Sequence, residues 1–264
     1  MKSLLPFLFI LIFAFPLQAQ TGLQVGFNLG YNNVYIQNQN NYGYSELDYE
    51  RTYGMNGGIS FGFRLAENYG WQAEINLVRM GQDYFDLSKD FGPLDEEGKL
   101  IKVETFRFID LTYLQVPVMF RYQTKRKKKK DDIISYHVMA GPCVGFLVGA
   151  DQHYEADITD TKTIVALPNG QTLDPVIVDF EATAAVEEPK DYFSKIDFGG
   201  QIDFGVDIYI KQYIYITPSV RGYYGLTDIN SVSSRELVDH KYQGASHNAY
   251  GGFNIGIHIN LGEE

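Results

Sequence analysis

A two-residue period recurs in eight separate segments of this chain, and that pattern constrains its fold more than any other feature. In 23–31, Leu23, Val25, Phe27, Leu29 and Tyr31 alternate with Gln24, Gly26, Asn28 and Gly30. The same alternation runs through 55–65, 71–77, 114–122, 134–148, 196–210, 214–224 and 253–261. Successive side chains of a strand point to opposite faces, so each segment reads as a strand with one apolar and one polar face. Near 110–113 the phase slips, which predicts a bulge. Tyr 20, Phe 18 and Gly 26 fit strands whose backbones pack closely.

The connections set the topology. Those near 66–69, 123–132 and 211–212 are short, whereas those near 33–50, 82–104, 151–195 and 227–247 are long. Short and long ends alternate along the chain. An outer-membrane barrel has short periplasmic turns and long extracellular loops, and each of its strands needs about 9–11 residues to cross. The fold class is therefore all-β: a closed eight-stranded antiparallel up-and-down transmembrane β-barrel with short periplasmic turns and long extracellular loops. A soluble exported barrel is the competing reading, with its apolar face inward. Its outer face would carry Lys and Glu freely, whereas here the polar face holds glycines and isolated single charges.

Composition narrows the function. The 264 residues carry 22 Lys+Arg against 33 Asp+Glu, a net charge of -11, which argues against nucleic acid as a partner. One Cys makes neither an internal disulfide nor a Cys-based zinc site. The start has a basic Lys2, an apolar run from Leu4 to Phe15 and a small residue at Ala19. That is the layout of a cleaved signal peptide, too short to span as a helix. Residues 1–19 are read as the signal peptide and 20–264 as the outer-membrane barrel domain.

Eight strands leave a lumen about wide enough for side chains alone. The inward charges are Arg64, Glu74, Arg121, Asp197, Asp203, Asp207 and Arg221. An unpaired charge there costs several kcal/mol, so these are expected to form a lumen network. Both strands flanking 211–212 keep their apolar faces on even numbers. A three-residue turn then sets Asp203 opposite Arg221 and Asp207 opposite Thr217. His137, Ser219, Asp203 and His258 also face inward, but no Gly-x-Ser-x-Gly exists, and no catalytic, cofactor or metal residue is assigned. No EF-hand loop is present. Cys143 reads as a packed inward residue.

The long connections are acidic: 151–195 holds ten acids and three bases. They are expected to form a solvated surface facing lipopolysaccharide. The one basic run, Lys125, Arg126, Lys127, Lys128, Lys129 and Lys130, falls on a periplasmic turn. It suits either a solvated turn or contact with anionic headgroups or an acidic partner. Tyr69, Trp71, Tyr122, Tyr209 and Tyr213 are expected as an aromatic girdle at the periplasmic end.

Segment 110–122, reading DLTYLQVPVMFRY, resembles the "YLEIPLLLKY" strand of the PorT-like outer-membrane β-barrel family of Bacteroidetes-type bacteria. Segments 71–81, 140–142 and 221–229 are similar to that family's "QPELLYSQKG", "GP" and "RYxxGLTNI" stretches. Gln115 and Asp228 depart from the usual Glu and Asn. The end, Asn254-x-Gly256-x-x-Ile259-x-Leu261, is similar to the β-signal read by the barrel-assembly machinery, without its terminal aromatic. The resemblance implies a barrel of the cell outer membrane and leaves the activity open. Three functions are compatible: a non-enzymatic structural or interaction role in envelope assembly or protein secretion, a small porin-like channel for ions or solutes, and a lipid-modifying enzyme. The expected partners are outer-membrane lipid and lipopolysaccharide, the barrel-assembly machinery during biogenesis, and an envelope or secretion protein.

Overall fold

The computed structural model describes residues 22–37, 48–87, 99, 104–124, 133–157, 189–231 and 245–261, with short pieces at 162–163, 176–177 and 181–185. The expected leader, 1–19, and the basic turn, 125–130, lie outside the described residues, as do large parts of the four long connections. The strands are β1 (Leu23–Gln37), β2 (Asp48–Glu50), β3 (Thr52–Arg64), β4 (Tyr69–Leu87), β5 (Glu104–Gln123) and β6 (Ile134–Asp157). They continue with β7 (Lys162–Thr163), β8 (Val176–Ile177), β9 (Glu181–Ala185), β10 (Ile196–Tyr209), β11 (Ile214–Gly225) and β12 (His247–Leu261).

Among the described residues, eight long strands close on themselves. The order is β1-β3-β4-β5-β6-β10-β11-β12, with β12 pairing back to β1, every neighbour antiparallel. Closure removes the unpaired edges that an open sheet would present to lipid. The first and last strands pair from Leu23↔Leu261 to Gln37↔His247. At the short-turn rim, Ile210 N–H donates to the Ile214 carbonyl at 2.9 Å, closing a three-residue turn, Lys211 to Tyr213.

Large apolar side chains cover the outside of the short-turn half. Trp71, Ile75, Leu77, Val118 and Phe120 are 40–54% exposed, and every other barrel strand contributes similar residues. A continuous belt of this kind suits a hydrocarbon layer and not water. Tyr69, Trp71, Tyr122 and Tyr213 ring its lower edge, with Tyr69 and Tyr122 at 5.4 Å. Tyr209 does not join them. It shares the odd-numbered phase of Asp203 and Asp207, so it points inward, 8% exposed, against Tyr215 at 4.9 Å.

Towards the long-loop rim the polarity reverses while the strands continue. On β4 the inward series passes from Gln72, Glu74 and Asn76 to Val78, Met80 and Tyr84, all buried. Its outward series passes from Leu77 to Arg79 and Asp83. On β5 the inward residues change from Gln115 to Tyr113, Leu111 and Ile109. With Val34, Ile36, Phe193 and Ile229 these form an ordinary apolar core. The odd residues of β5 face inward throughout 109–123, so the slip expected near 110–113 is this polarity reversal and not a change in β5's pleat. A bulge does lie there, on the partner strand. Thr112 pairs with Gly149 and Tyr113 with Leu147, leaving Val148 as the extra residue of β6.

β4, β5 and β6 run 19, 20 and 24 residues, about twice what crossing requires. β2 adds to β4 and β9 adds to β6, giving an upstanding five-stranded sheet, β2-β4-β5-β6-β9. Gly81 on β4 has φ 144, and a Cβ there would collide with the Ile109 carbonyl. Glycine alone fits that close approach.

Candidate functional site

The inward polar faces of β4, β5, β6, β10 and β11 meet in the middle of the barrel. Arg121 donates to Asp207 Oδ2 at 2.5 Å and to Gln72 Oε1 at 2.9 Å. Gln72 donates to Glu74 Oε1 at 2.7 Å. Glu74 is gripped by the Arg221 guanidinium in a fork of 2.7 and 3.0 Å. Arg221 Nε donates to Asp203 Oδ2 at 2.9 Å. His137 Nε2 lies 3.2 Å from Asp203 Oδ1, and its Nδ1 lies 3.1 Å from Asp207 Oδ1, an ion-pair contact without hydrogen-bond alignment. The contacts thus form a closed loop of seven side chains: Arg121, Asp207, His137, Asp203, Arg221, Glu74 and Gln72. All seven are buried.

Each strand's pleat supplies its members. Asp203 and Asp207 lie four apart on β10, on one face. β11 sets Arg221 opposite Asp203, and Thr217 donates to Asp207 at 3.0 Å. Ser219 donates to Asp203 at 3.0 Å, and Asn76 to Glu74 at 2.7 Å. Gly205 faces in beside them. A Cβ there would stand 2.5 Å from the His137 ring and 2.7 Å from Ser219, so its absence makes room for the imidazole. Three carboxylates face two guanidiniums and an imidazole between two of the acids. Fork geometry and added neutral donors are what make buried ions tolerable.

Arg64 sits lower, opposite Gly70 and partly buried, outside this loop. Below the loop, Tyr215 stacks on His258 at 4.9 Å and donates to Gln24 at 2.8 Å, while the Arg121 guanidinium lies 5.9 Å from the Tyr215 ring centre. Above it, the Tyr250 hydroxyl reaches Gln115 at 3.2 Å and Gln201 at 3.3 Å. Asp197 accepts from Thr227 at 2.8 Å and Asn248 at 2.9 Å. Between the neighbouring strands β1 and β3, Asn32 donates to Asn56 at 3.0 Å. The mouth is then filled by the apolar core. Phe193 and Ile229, from the segments before β10 and after β11, fold into it, tied by Ser194 N–H to the Ile229 carbonyl at 2.7 Å.

The arrangement does not activate a nucleophile. Asp203 stands between His137 and Ser219, and Ser219 donates to the carboxylate and not to the imidazole. A serine nucleophile needs the imidazole as its immediate acceptor. His258 contacts Ser60 at 3.4 Å, with both buried. Among the described residues no group of three His, Cys, Asp or Glu is arranged to hold a metal ion.

Sequence reasoning missed three things: Gln72 as the link from Arg121 to Glu74, the apolar core near the long-loop rim, and the inserted Phe193 and Ile229. The core had a readable signal, because Val78 and Met80 occupy the phase that Glu74 and Asn76 hold lower on the same strand.

The model of the outer membrane protein beta-barrel domain family matches residues 18–231. No curated protein matches the chain. Solved structures similar to it include Neisserial surface protein A, at 8% identity and TM-score 0.40, covering 92% of this chain and 98% of that one. OprG of Pseudomonas aeruginosa is similar at 10% and 0.40, covering 90% and 95%. Ail of Yersinia pestis, solved with the heparin analogue sucrose octasulfate, is similar at 10% and 0.34, covering 90% and 99%. With a family model spanning this much of it, the chain belongs to the outer membrane protein beta-barrel domain family.

Proposed function

We infer that this protein is a non-conducting, non-enzymatic outer-membrane barrel that anchors an upstanding sheet for interaction with other envelope components. In this reading residues 1–19 direct export, the short-turn rim faces the periplasm, and β2-β4-β5-β6-β9 stands on the outer side. The observation that carries it is the cross-lumen loop of Arg121, Asp207, His137, Asp203, Arg221, Glu74 and Gln72, with an apolar core above it. An ion crossing this lumen would have to part several buried ion pairs, which favours a plugged barrel over a channel. A plugged, stiff barrel is a pedestal, and the length invested beyond the bilayer lies in β4, β5 and β6. Such a pedestal suits a place in envelope assembly or secretion.

The test is to refold residues 20–264, insert them into a planar bilayer and record single-channel currents. The expected result is silence from a protein whose unheated form still migrates as a folded barrel on a gel. Reproducible conductance steps that change on Arg221→Gln would overturn the plugged reading.

A further inference from the structure

The outer face of the upstanding sheet carries an aromatic ladder above the lipid belt. Phe85 on β4 meets Phe106 on β5 at 5.2 Å. Phe106 stacks along the strand on Phe108 at 6.4 Å and 17°. Phe108 stacks on His153 of β6 at 4.7 Å and 19°. All four are partly exposed and alternate with the buried Tyr84 and Ile109, so they look away from the apolar core.

Their height identifies what faces them. The belt on β4 ends at Leu77, and Arg79 above it forms an exposed fork with Asp110 of 2.6–2.9 Å. Phe108 is level with Asp83, and Phe106 with Phe85. Six to eight residues beyond Leu77, on strands rising about 3.3 Å per residue and tilted about 40°, put the ladder roughly 15–20 Å above the hydrocarbon edge. The ladder continues the lipid-facing side of the barrel, so its neighbours are the heads of the surrounding lipids. In the outer leaflet of such a membrane those heads are oligosaccharides, and about 15–20 Å is above the roughly 5–8 Å that a headgroup layer ordinarily adds on each side, where sugars further from the anchor would lie.

The chemistry of the face fits sugar. Ring faces carry partial negative charge and accept the C–H faces of a pyranose. Asp83 and Asp151 flank the ladder on the same face, and carboxylates accept hydrogen bonds from hydroxyls. The Arg79 charge is already taken by Asp110, and the ladder with its two flanking carboxylates offers rings and acceptors.

We propose that the Phe85–Phe106–Phe108–His153 ladder binds the core oligosaccharide of neighbouring outer-leaflet glycolipid, seating the upstanding sheet in the sugar layer. This rests on the outward orientation given under Proposed function.

The test is saturation-transfer NMR on refolded protein in a sugar-free detergent, with free core oligosaccharide as the probe. Saturating the aromatic protons is expected to transfer to sugar ring C–H protons. Phe106→Ser/Phe108→Ser is expected to weaken binding about tenfold, with the unheated gel shift intact. Tyr31→Ser/Tyr53→Ser, which removes another stacked outer pair at 5.4 Å, is expected to leave it unchanged. If the double serine variant does not fold, Phe108→Leu keeps the apolar volume and removes the ring face, and a several-fold loss is expected. No transfer, transfer that survives the ladder variants, or equal loss in the Tyr31/Tyr53 control would overturn the proposal. Orientation is read separately, by labelling Thr112→Cys on intact cells with an impermeant reagent. Labelling only after lysis would sink the outward orientation and leave the sugar binding measured in detergent standing.

Discussion

The two halves of the barrel are built on the same strands and obey opposite rules. In the short-turn half, Glu74, Arg121, His137, Asp203 and Arg221 point inward and Trp71, Ile75 and Phe120 point outward. In the long-loop half, Val78, Met80, Ile109 and Leu111 point inward and Arg79 and Asp110 point outward. The pleat does not change across the boundary on β4 or β5; the solvent does. Where lipid is outside, the hydrophobic effect holds the outer face and the interior is fixed by polar pairing. Where water is outside, burial of apolar area holds the interior, as in a soluble protein. The molecule is a membrane barrel below and a soluble β-sheet above, joined without a linker.

Substitutions on either side of that boundary test the contrast, and the largest effect is expected in the lower half. Arg221→Met leaves Glu74 and Asp203 buried without their cation and is expected to cost about 3–5 kcal/mol. Urea unfolding of the barrel refolded into vesicles measures it. Ile109→Ala in the upper half opens an ordinary core cavity, with an expected loss of about 2–5 kcal/mol in the same assay. A basic residue on the outer face separates the halves most sharply. Ile257→Arg within the belt is expected to cost about 2–4 kcal/mol, whereas Thr112→Arg above it should change stability by no more than about 0.5 kcal/mol. Equal costs at the two positions would mean that the belt does not end where the polarity reverses. A small effect is likewise expected for Arg79→Met, about 0–1 kcal/mol, because its pair with Asp110 is exposed; raising the salt concentration should shrink the difference further.

Much of the lower half was legible in the sequence. The parity of the apolar faces on 196–210 and 214–224 is enough to set Asp203 opposite Arg221, because a tight turn fixes register between adjacent strands. The Arg221–Glu74 fork was not legible. It joins β11 to β4 across the lumen, and through-space partners depend on strand tilt and stagger, which local periodicity does not encode. The upper half was misread for a different reason. An apolar residue was taken as outward everywhere, so the change of phase at 110–113 was assigned to a bulge alone; the bulge is there, on β6, but the phase changes because Tyr113, Leu111 and Ile109 face inward into a core. Tyr209 was misplaced by the same habit, as an aromatic near a membrane edge whose phase points it inside.

The loop of seven side chains also sets an order of events during biogenesis. Asp203 and Arg221 meet within one hairpin, β10–β11, and that contact is available early. Glu74 and Arg121 come from β4 and β5, and their charged partners Arg221 and Asp207 arrive only with that later hairpin. A half-finished sheet of β1 to β5 entering the bilayer alone would carry both ions without their ion-pair partners, linked to each other only through Gln72, at a cost of several kcal/mol. The cheaper route holds the early strands out of the hydrocarbon until the later hairpin has docked. Insertion and charge neutralisation then become a single concerted step, and the wiring of the interior acts as a checkpoint on when the chain enters the membrane.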